Sequence, residues 1–94
     1  MKVVLSPQAL ASLEAIRARL AEFSPASAAR FVDAIEERLR QLEQYEFSGR
    51  VVPEYGVPLL RELVEPPYRI VYEVFPDRVE IVIVRHGREE FRRP

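Results

Sequence analysis

The chain has 94 residues, of which 48% are hydrophobic, and its 14 basic and 15 acidic side chains give a formal net charge of −1. This length predicts one domain over residues 1–94, and the charge balance is less basic than is usual for nucleic-acid binders. The absence of cysteine excludes disulfides and thiol chemistry. Its apolar runs are too short for a membrane span or a signal peptide, so we expect a cytoplasmic protein without membrane contact.

Two helices are predicted after a short N-terminal strand at residues 2–5. The pairs Ser6-Pro7 and Ser24-Pro25 each combine an N-cap residue with proline at the first helical position. Apolar side chains then recur every three or four residues, at Ala9, Leu13, Ile16, Leu20 and Phe23 and at Ala28, Phe31, Ile35, Leu39 and Leu42. Because the connection between them is very short, the helices should form an antiparallel hairpin.

Three strands are predicted in the second half of the chain, over residues 59–65, 68–75 and 78–86. These segments are rich in β-branched and aromatic residues, and Pro66-Pro67 and Pro76-Asp77 separate them as turns. Residues 47–58 contain two glycines and two prolines, which predicts an irregular connection. The order β-α-α-β-β-β therefore predicts an α+β fold in which the helix hairpin packs on one face of a small, largely antiparallel sheet.

The register of the last hairpin decides which side chains share a face. If Phe75 pairs with Arg78 across the turn, alternation places Arg69 and His86 as diagonal neighbours on the face away from the helices. His86 is the one histidine of the chain. A slip of one residue would move it to the other face.

Three segments together resemble the RelE/ParE superfamily of toxins from type II toxin–antitoxin systems, and most of all its ParE branch. They are LSPQALASLEAIRARL, GRVVPEYGVPLLRELVEPPYRIVYEV and VEIVIVRHGREE. The resemblance implies a curved sheet and a cognate, ParD-like antitoxin whose extended C-terminal segment wraps the toxin. It implies DNA gyrase as the target of a ParE-like toxin, and mRNA in the ribosomal A site as the target of a RelE-like one.

If the chain cleaves RNA, His86 is the expected titratable group, and Arg69, Arg61 and Arg88 are the expected stabilisers of charge on the reacting phosphate. The ribonuclease branch also often carries a tyrosine near its C-terminus and lysines in the connection. This chain has no tyrosine in its last twenty or so residues, and its connection has no lysine. These departures favour a ParE-like toxin that binds a large target. Its alternatives are a RelE-like, ribosome-dependent mRNA endonuclease and a non-toxic relic that only binds.

The basic end of the last strand suits an acidic partner. We expect Arg69, Arg85, His86 and Arg88 to contact the antitoxin or the target, since arginine pairs well with carboxylates. A lone histidine without cysteine or a cluster of acidic residues argues against a metal site, and no cofactor is expected. Without its antitoxin the toxin is expected to form a homodimer through the surface that the antitoxin would cover.

Overall fold

The computed structural model describes residues 1–87 and contains two helices and one five-stranded sheet. The elements are β1 (Lys2–Leu5), α1 (Pro7–Phe23), α2 (Pro25–Gln44), β2 (Arg50–Val51), β3 (Leu60–Glu65), β4 (Tyr68–Val74) and β5 (Arg78–His86). The strand order is β1-β5-β4-β3-β2, in which β1 is parallel to β5 and the other pairs are antiparallel. The predicted α+β fold is confirmed. The short β2 is an addition, because it lies in the segment that was predicted to be irregular.

The two predicted N-caps form the ends of the helix hairpin. Ser6 Oγ accepts a hydrogen bond from the Ala9 N–H at 3.0 Å, and Ser24 Oγ accepts one from the Ser27 N–H at 3.2 Å. The Ser24 N–H also donates to the Leu20 carbonyl at 2.9 Å, which closes the last turn of α1. A single serine therefore ends one helix and begins the next, and this makes the hairpin tight.

The main core lies between the helix hairpin and one face of the sheet. Its buried members come from both layers: Ala9, Ile16, Phe31, Ile35, Leu42, Leu63, Tyr68, Ile70, Tyr72, Val74, Val79, Ile81 and Val84. Phe23 departs from the predicted stripe, because it is the last residue of α1 and is 84% exposed. No helix among residues 1–87 is long and apolar enough to cross a lipid bilayer.

The opposite face of the sheet, here called the open face, carries a smaller apolar cluster. Val52, Leu60, Val71 and Ile83 are buried there, with Val82 packed against them. Val52 opens the loop of residues 52–59 between β2 and β3, here called the 52–59 loop. This loop therefore covers part of the open face.

A β-bulge at Val82 divides the last hairpin into two registers. Tyr72 pairs with Ile81, whereas the preceding residue, Val71, pairs with Ile83. Val82 is thus an extra residue on β5. Because side chains alternate along a strand, one extra residue exchanges the faces of every residue beyond it.

The bulge overturns the predicted proximity of Arg69 and His86. The turn pairs as predicted, but beyond the bulge His86 lies opposite Tyr68, and Arg85 lies opposite Arg69. Since Tyr68 belongs to the core beneath the helices, His86 shares the helix-facing side with it. Arg85 takes the place beside Arg69 that was expected for the histidine.

Two serines near the start of α1, its N-cap Ser6 and Ser12, hydrogen-bond with backbone groups of β5 around the bulge, at and beyond the last residue that pairs with β1. The hydrogen bonds are Ser6 N–H to the Ile81 carbonyl at 3.0 Å, Ser6 Oγ to the Val82 carbonyl at 2.8 Å and Val84 N–H to Ser12 Oγ at 3.0 Å. Buried backbone groups need such partners. Ser6 and Ser12 therefore supply hydrogen-bond partners that a neighbouring strand would otherwise provide.

Candidate functional site

The described residues among those considered for RNA cleavage do not form one site. Arg69 lies on the open face, whereas His86 pairs with Tyr68 and Arg61 pairs with Tyr72, which places both on the helix-facing side. Cleavage without a metal requires a base, an acid and charge stabilisers around one phosphate. The described candidates stand on opposite faces of the sheet. The remaining candidate, Arg88, lies outside the described residues.

Arg69 is held between two carboxylates. Its Nε donates to Glu62 Oε1 at 2.8 Å, its Nη1 donates to Glu54 Oε2 at 2.8 Å, and its Nη2 donates to Glu54 Oε1 at 2.8 Å and also to Glu62 Oε1. The side chain is only 9% exposed. The hydrogen bonds that Arg69 donates, first to Glu54 and then to Glu62, raise the pKa of its guanidinium above the ordinary value although burial opposes them. Arg69 is thus a permanently charged group with internal counterions.

Glu62 is the buried centre of this arrangement. Its side chain is 0% exposed, and its second oxygen, Oε2, accepts a hydrogen bond from Arg50 Nε at 2.7 Å. Arg50, Glu54, Glu62 and Arg69, here called the ion-pair cluster, have a formal net charge of zero. A buried carboxylate is tolerated when it is paired in this way.

The strand register explains how the ion-pair cluster forms. Arg50 of β2 stands opposite Glu62 of β3, while Arg69 of β4 stands opposite Val64, one pleat further along the same face. Glu54 reaches Arg69 from the 52–59 loop. Arg69 was singled out from the sequence as a candidate contact for a partner or a phosphate, but its pairing with Glu62 and Glu54 was not predicted. The available signal was alternation, since Glu62 stands between Leu60 and Val64 on one face of β3.

Arg61 hydrogen-bonds to the backbone both before β2 and before β3. Its Nε donates to the Pro58 carbonyl at 2.9 Å, and its Nη1 donates to the Gly49 carbonyl at 3.0 Å. The guanidinium also lies 5.0 Å from the centre of the Phe47 ring. These contacts give Arg61 a structural role in joining both ends of the β2 region.

His86 extends an aromatic stack at the end of the sheet. Its ring lies edge-on to Tyr68, with centroids 6.0 Å apart, and Tyr68 in turn lies edge-on to Phe31 at 5.1 Å. Such pairs stabilise a core through their quadrupoles. His86 also lines a shallow cavity of about 280 Å³ together with Ser12 and Arg19 of α1. Among the described residues no group of three His, Asp or Glu side chains could hold a metal ion.

An apolar groove runs between the two helices beside β1. It has a volume of about 560 Å³ and is lined by Leu5, Leu10, Leu13, Glu14, Arg17, Phe31, Val32, Ile35, Glu36 and Leu39. Leu10 is 54% exposed there. A concave surface lined mainly by apolar side chains is a candidate site for a protein segment.

Comparison with known proteins identifies the family of this α+β domain. Residues 3–91 match the model of the ParE toxin of the type II toxin–antitoxin system parDE. The chain belongs to the ParE toxin family. This confirms the resemblance drawn from its sequence motifs.

Two curated relatives of this ParE-family toxin come from Caulobacter vibrioides. Toxin RelE2 is 40% identical over 87 residues, which cover 92% of this chain and 94% of that protein. Toxin RelE3 is 33% identical over 87 residues, which cover 93% and 95%. Both share nearly their whole length with the ParE-family toxin.

A solved structure of a chromosomal ParDE toxin–antitoxin system from P. aeruginosa has the same fold. It superposes with a TM-score of 0.75 at 26% identity and covers 92% of this chain and 95% of that chain. The ParE-family toxin is therefore the toxin component of a type II toxin–antitoxin system.

Proposed function

We propose that this ParE-family toxin acts by binding a large macromolecular target, DNA gyrase, and not by cleaving RNA. The ion-pair cluster is the observation that supports this proposal. The guanidinium of Arg69, which would have to stabilise a reacting phosphate, already binds Glu54 and Glu62. Catalytic charge stabilisation requires donors aimed at the position where negative charge develops.

The placement of the other candidates supports the same proposal. Arg61 donates to backbone carbonyls, and His86 packs against Tyr68 on the far side of the sheet. A phosphate bound at Arg69 would lie beside the carboxylates of Glu54 and Glu62, on the face of the sheet opposite to His86. The negative charges of these carboxylates would repel the phosphate and oppose its binding.

A supercoiling assay with purified gyrase tests the proposed target. We expect regulated expression of the toxin to stop bacterial growth, and the purified toxin to inhibit supercoiling in proportion to its concentration. Adding the antitoxin that is encoded beside the toxin should restore both growth and supercoiling. Unchanged supercoiling in the presence of a growth-inhibiting preparation would contradict gyrase as the target.

Primer extension on ribosome-bound mRNA tests the ribonuclease alternative. We expect no cleavage in the A site, and the same result for the Arg69→Ala and His86→Ala variants. Cuts that disappear in either variant would establish RNA cleavage instead. Unaffected growth together with retained antitoxin binding would identify a non-toxic relic of the family.

The proposed partner contacts require a segment that wraps around the end of β5. Arg69 and Arg85 stand opposite each other on the open face, whereas His86 lies on the helix-facing side. Arg88, proposed for the same contact, follows in sequence outside the described residues. A partner segment that reaches all of them must pass from one face to the other, which suits an extended peptide.

The proposal includes association of the toxin with itself when the antitoxin is absent. The groove between the helices exposes leucine side chains that a protein partner would cover. We expect a dimer by light scattering at high concentration, and a monomer for Leu10→Asp. A monomeric mass for the unmodified chain at all concentrations would contradict this part of the proposal.

A further inference from the structure

The two carboxylates that bind Arg69 differ in how firmly the fold holds them. Glu62 belongs to β3, is fully buried and also accepts a hydrogen bond from Arg50. Glu54 belongs to the 52–59 loop, and its side chain is 21% exposed. The first is a fixed counterion, whereas the second is held by a loop at the surface.

The backbone of this loop turns back on itself. The N–H groups of Tyr55 and Gly56 both donate to the Val52 carbonyl, at 3.1 and 3.0 Å, and Gly56 has a positive φ of 64°. The turn is thereby closed within the loop, and the two bonds from Glu54 to Arg69 join it to β4. Release of Glu54 would therefore uncover Arg69 without breaking a strand pairing.

We infer that the outer edge of the Arg69 guanidinium is a carboxylate-binding site, which Glu54 fills from within the chain and which an acidic peptide segment of a partner can fill in its place. The two oxygens of Glu54 accept from Nη1 and Nη2 at equal distances of 2.8 Å. This is the bidentate geometry by which arginine binds planar carboxylates. When the partner binds, its carboxylate replaces Glu54 on Arg69, and the 52–59 loop moves away from the guanidinium.

The charges of the open face favour an acidic peptide over a nucleic acid. Glu73 of β4 stands opposite Glu80 of β5 on this face, and Glu62 of β3 is a diagonal neighbour of Glu73. A polyphosphate chain laid across the face would meet these carboxylates. A peptide would place a single carboxylate at Arg69, next to Arg85 as a second cation.

The apolar surroundings of Arg69 also suit a peptide. Val64 stands opposite Arg69 and is 45% exposed. An apolar residue beside the acidic one could cover it. The identification of such a partner with the antitoxin rests on the proposed function, but the binding of an acidic peptide does not.

A peptide copied from the loop itself provides the probe. Acetyl-Val-Val-Pro-Glu-Tyr-Gly-Val-amide, the sequence of residues 51–57, is titrated by calorimetry into the full chain. In Glu54→Gln the internal competitor is lost, so we expect about tenfold tighter binding than to the unmodified protein. The same peptide with glutamine in place of glutamate should not bind.

Glu37→Gln is the matched control, since it removes the same charge from an exposed pair with Arg40. It should bind the peptide as weakly as the unmodified protein does. Arg69→Lys within Glu54→Gln keeps the positive charge but loses the two-pronged geometry, and it should lose the binding. Equal affinity for Glu54→Gln and the unmodified protein, or for both peptides, would overturn the inference.

A second measurement avoids any dependence on the stability of Glu54→Gln. The Nε–H resonance of Arg69 in the unmodified protein should shift when the acidic peptide is added, and not with the glutamine peptide. An unmoved resonance at saturating peptide would overturn the inference. A single-stranded RNA oligomer that binds Glu54→Gln more tightly than the acidic peptide would also overturn it, in favour of a phosphate site. None of these readouts depends on growth inhibition, so the proposed function can fail independently.

Discussion

Glu62 is a fully buried carboxylate whose two oxygens accept hydrogen bonds from Arg50 and Arg69. Its replacement by alanine would leave Arg69 buried with one fewer counterion and would open a space in the sheet. Because breaking a buried ion pair leaves an uncompensated charge, we expect Glu62→Ala to lower the free energy of unfolding by about 3–5 kcal/mol. Urea denaturation at neutral pH measures this loss.

The exposed pair of Glu37 and Arg40 is the natural control for this prediction. Solvent screens such a pair, so Glu37→Ala should cost at most about 1 kcal/mol. The double variant Glu62→Leu/Arg69→Met should recover much of the loss, because apolar residues can replace a buried pair. Equal costs for Glu62→Ala and Glu37→Ala would show that the ion-pair cluster does not stabilise the fold.

Gly49 is required by the close approach of its neighbours and not by its backbone angles. A Cβ atom at this position would lie 2.5 Å from the Glu62 carbonyl oxygen and 2.7 Å from the Tyr72 hydroxyl. We expect Gly49→Ala to cost about 2 kcal/mol or more through the backbone shift that it forces. Thermal unfolding measures this cost. Gly56→Ala should be milder, because no atom lies within 4 Å there and the strain comes from its φ of 64° alone; the reverse order would contradict the steric argument.

At the level of single residues, sequence patterns predicted the helix caps but not the ion pairs of Arg69. Ser6 and Ser24 act as N-caps as predicted, since a cap depends on residues three positions away. The partner contact predicted for Arg69 stays a prediction, and its counterions, which were not predicted, come from 7 and 15 residues earlier in the chain. Pairings over such distances depend on register and loop path, which local patterns do not specify.

The elements themselves were predictable, and the exception is informative. Helical spacing and β-branched runs are local signals, so both helices and four of the five strands were expected near their observed bounds. The bulge at Val82 was not expected, because the run from Val79 to Val84 is apolar on both faces apart from Glu80 and so does not reveal which face each residue takes. That single residue moved His86 to the other side of the sheet.

The join between α1 and β5 gives a prediction at the scale of the elements. Ser6 caps α1 and also donates to the carbonyl of Val82 at the bulge, whereas Ser24 caps α2. We expect Ser6→Ala to cost about 2 kcal/mol, against about 1 kcal/mol for Ser24→Ala, because it loses a cap and a partly buried hydrogen bond together. Chemical denaturation of both variants measures the difference. Equal losses would mean that the bond to Val82 contributes nothing.

The stability of the whole molecule should depend on alkaline pH through Tyr72. Burial raises the pKa of this phenol above its ordinary value of 10.0, and the hydrogen bond from Gly49 and the charge of Arg61 only partly oppose that effect. The unfolded chain therefore loses the proton at lower pH than the folded chain does. The contribution of the neutral phenol is complete below pH 10.0 and disappears as the pH rises through the higher value of the folded state.

Urea denaturation at pH 9 and pH 11 would reveal this dependence. Tyr72→Phe should be less stable than the unmodified protein at pH 9, because the buried Gly49 N–H loses the hydroxyl that accepts its hydrogen bond at 2.9 Å. Between the two pH values the unmodified protein should lose more stability than Tyr72→Phe, because phenylalanine has no phenol whose pKa burial can raise. Tyr45→Phe, which alters an exposed phenol, should follow the unmodified protein. Parallel losses in the unmodified protein and Tyr72→Phe would show that another group governs alkaline unfolding.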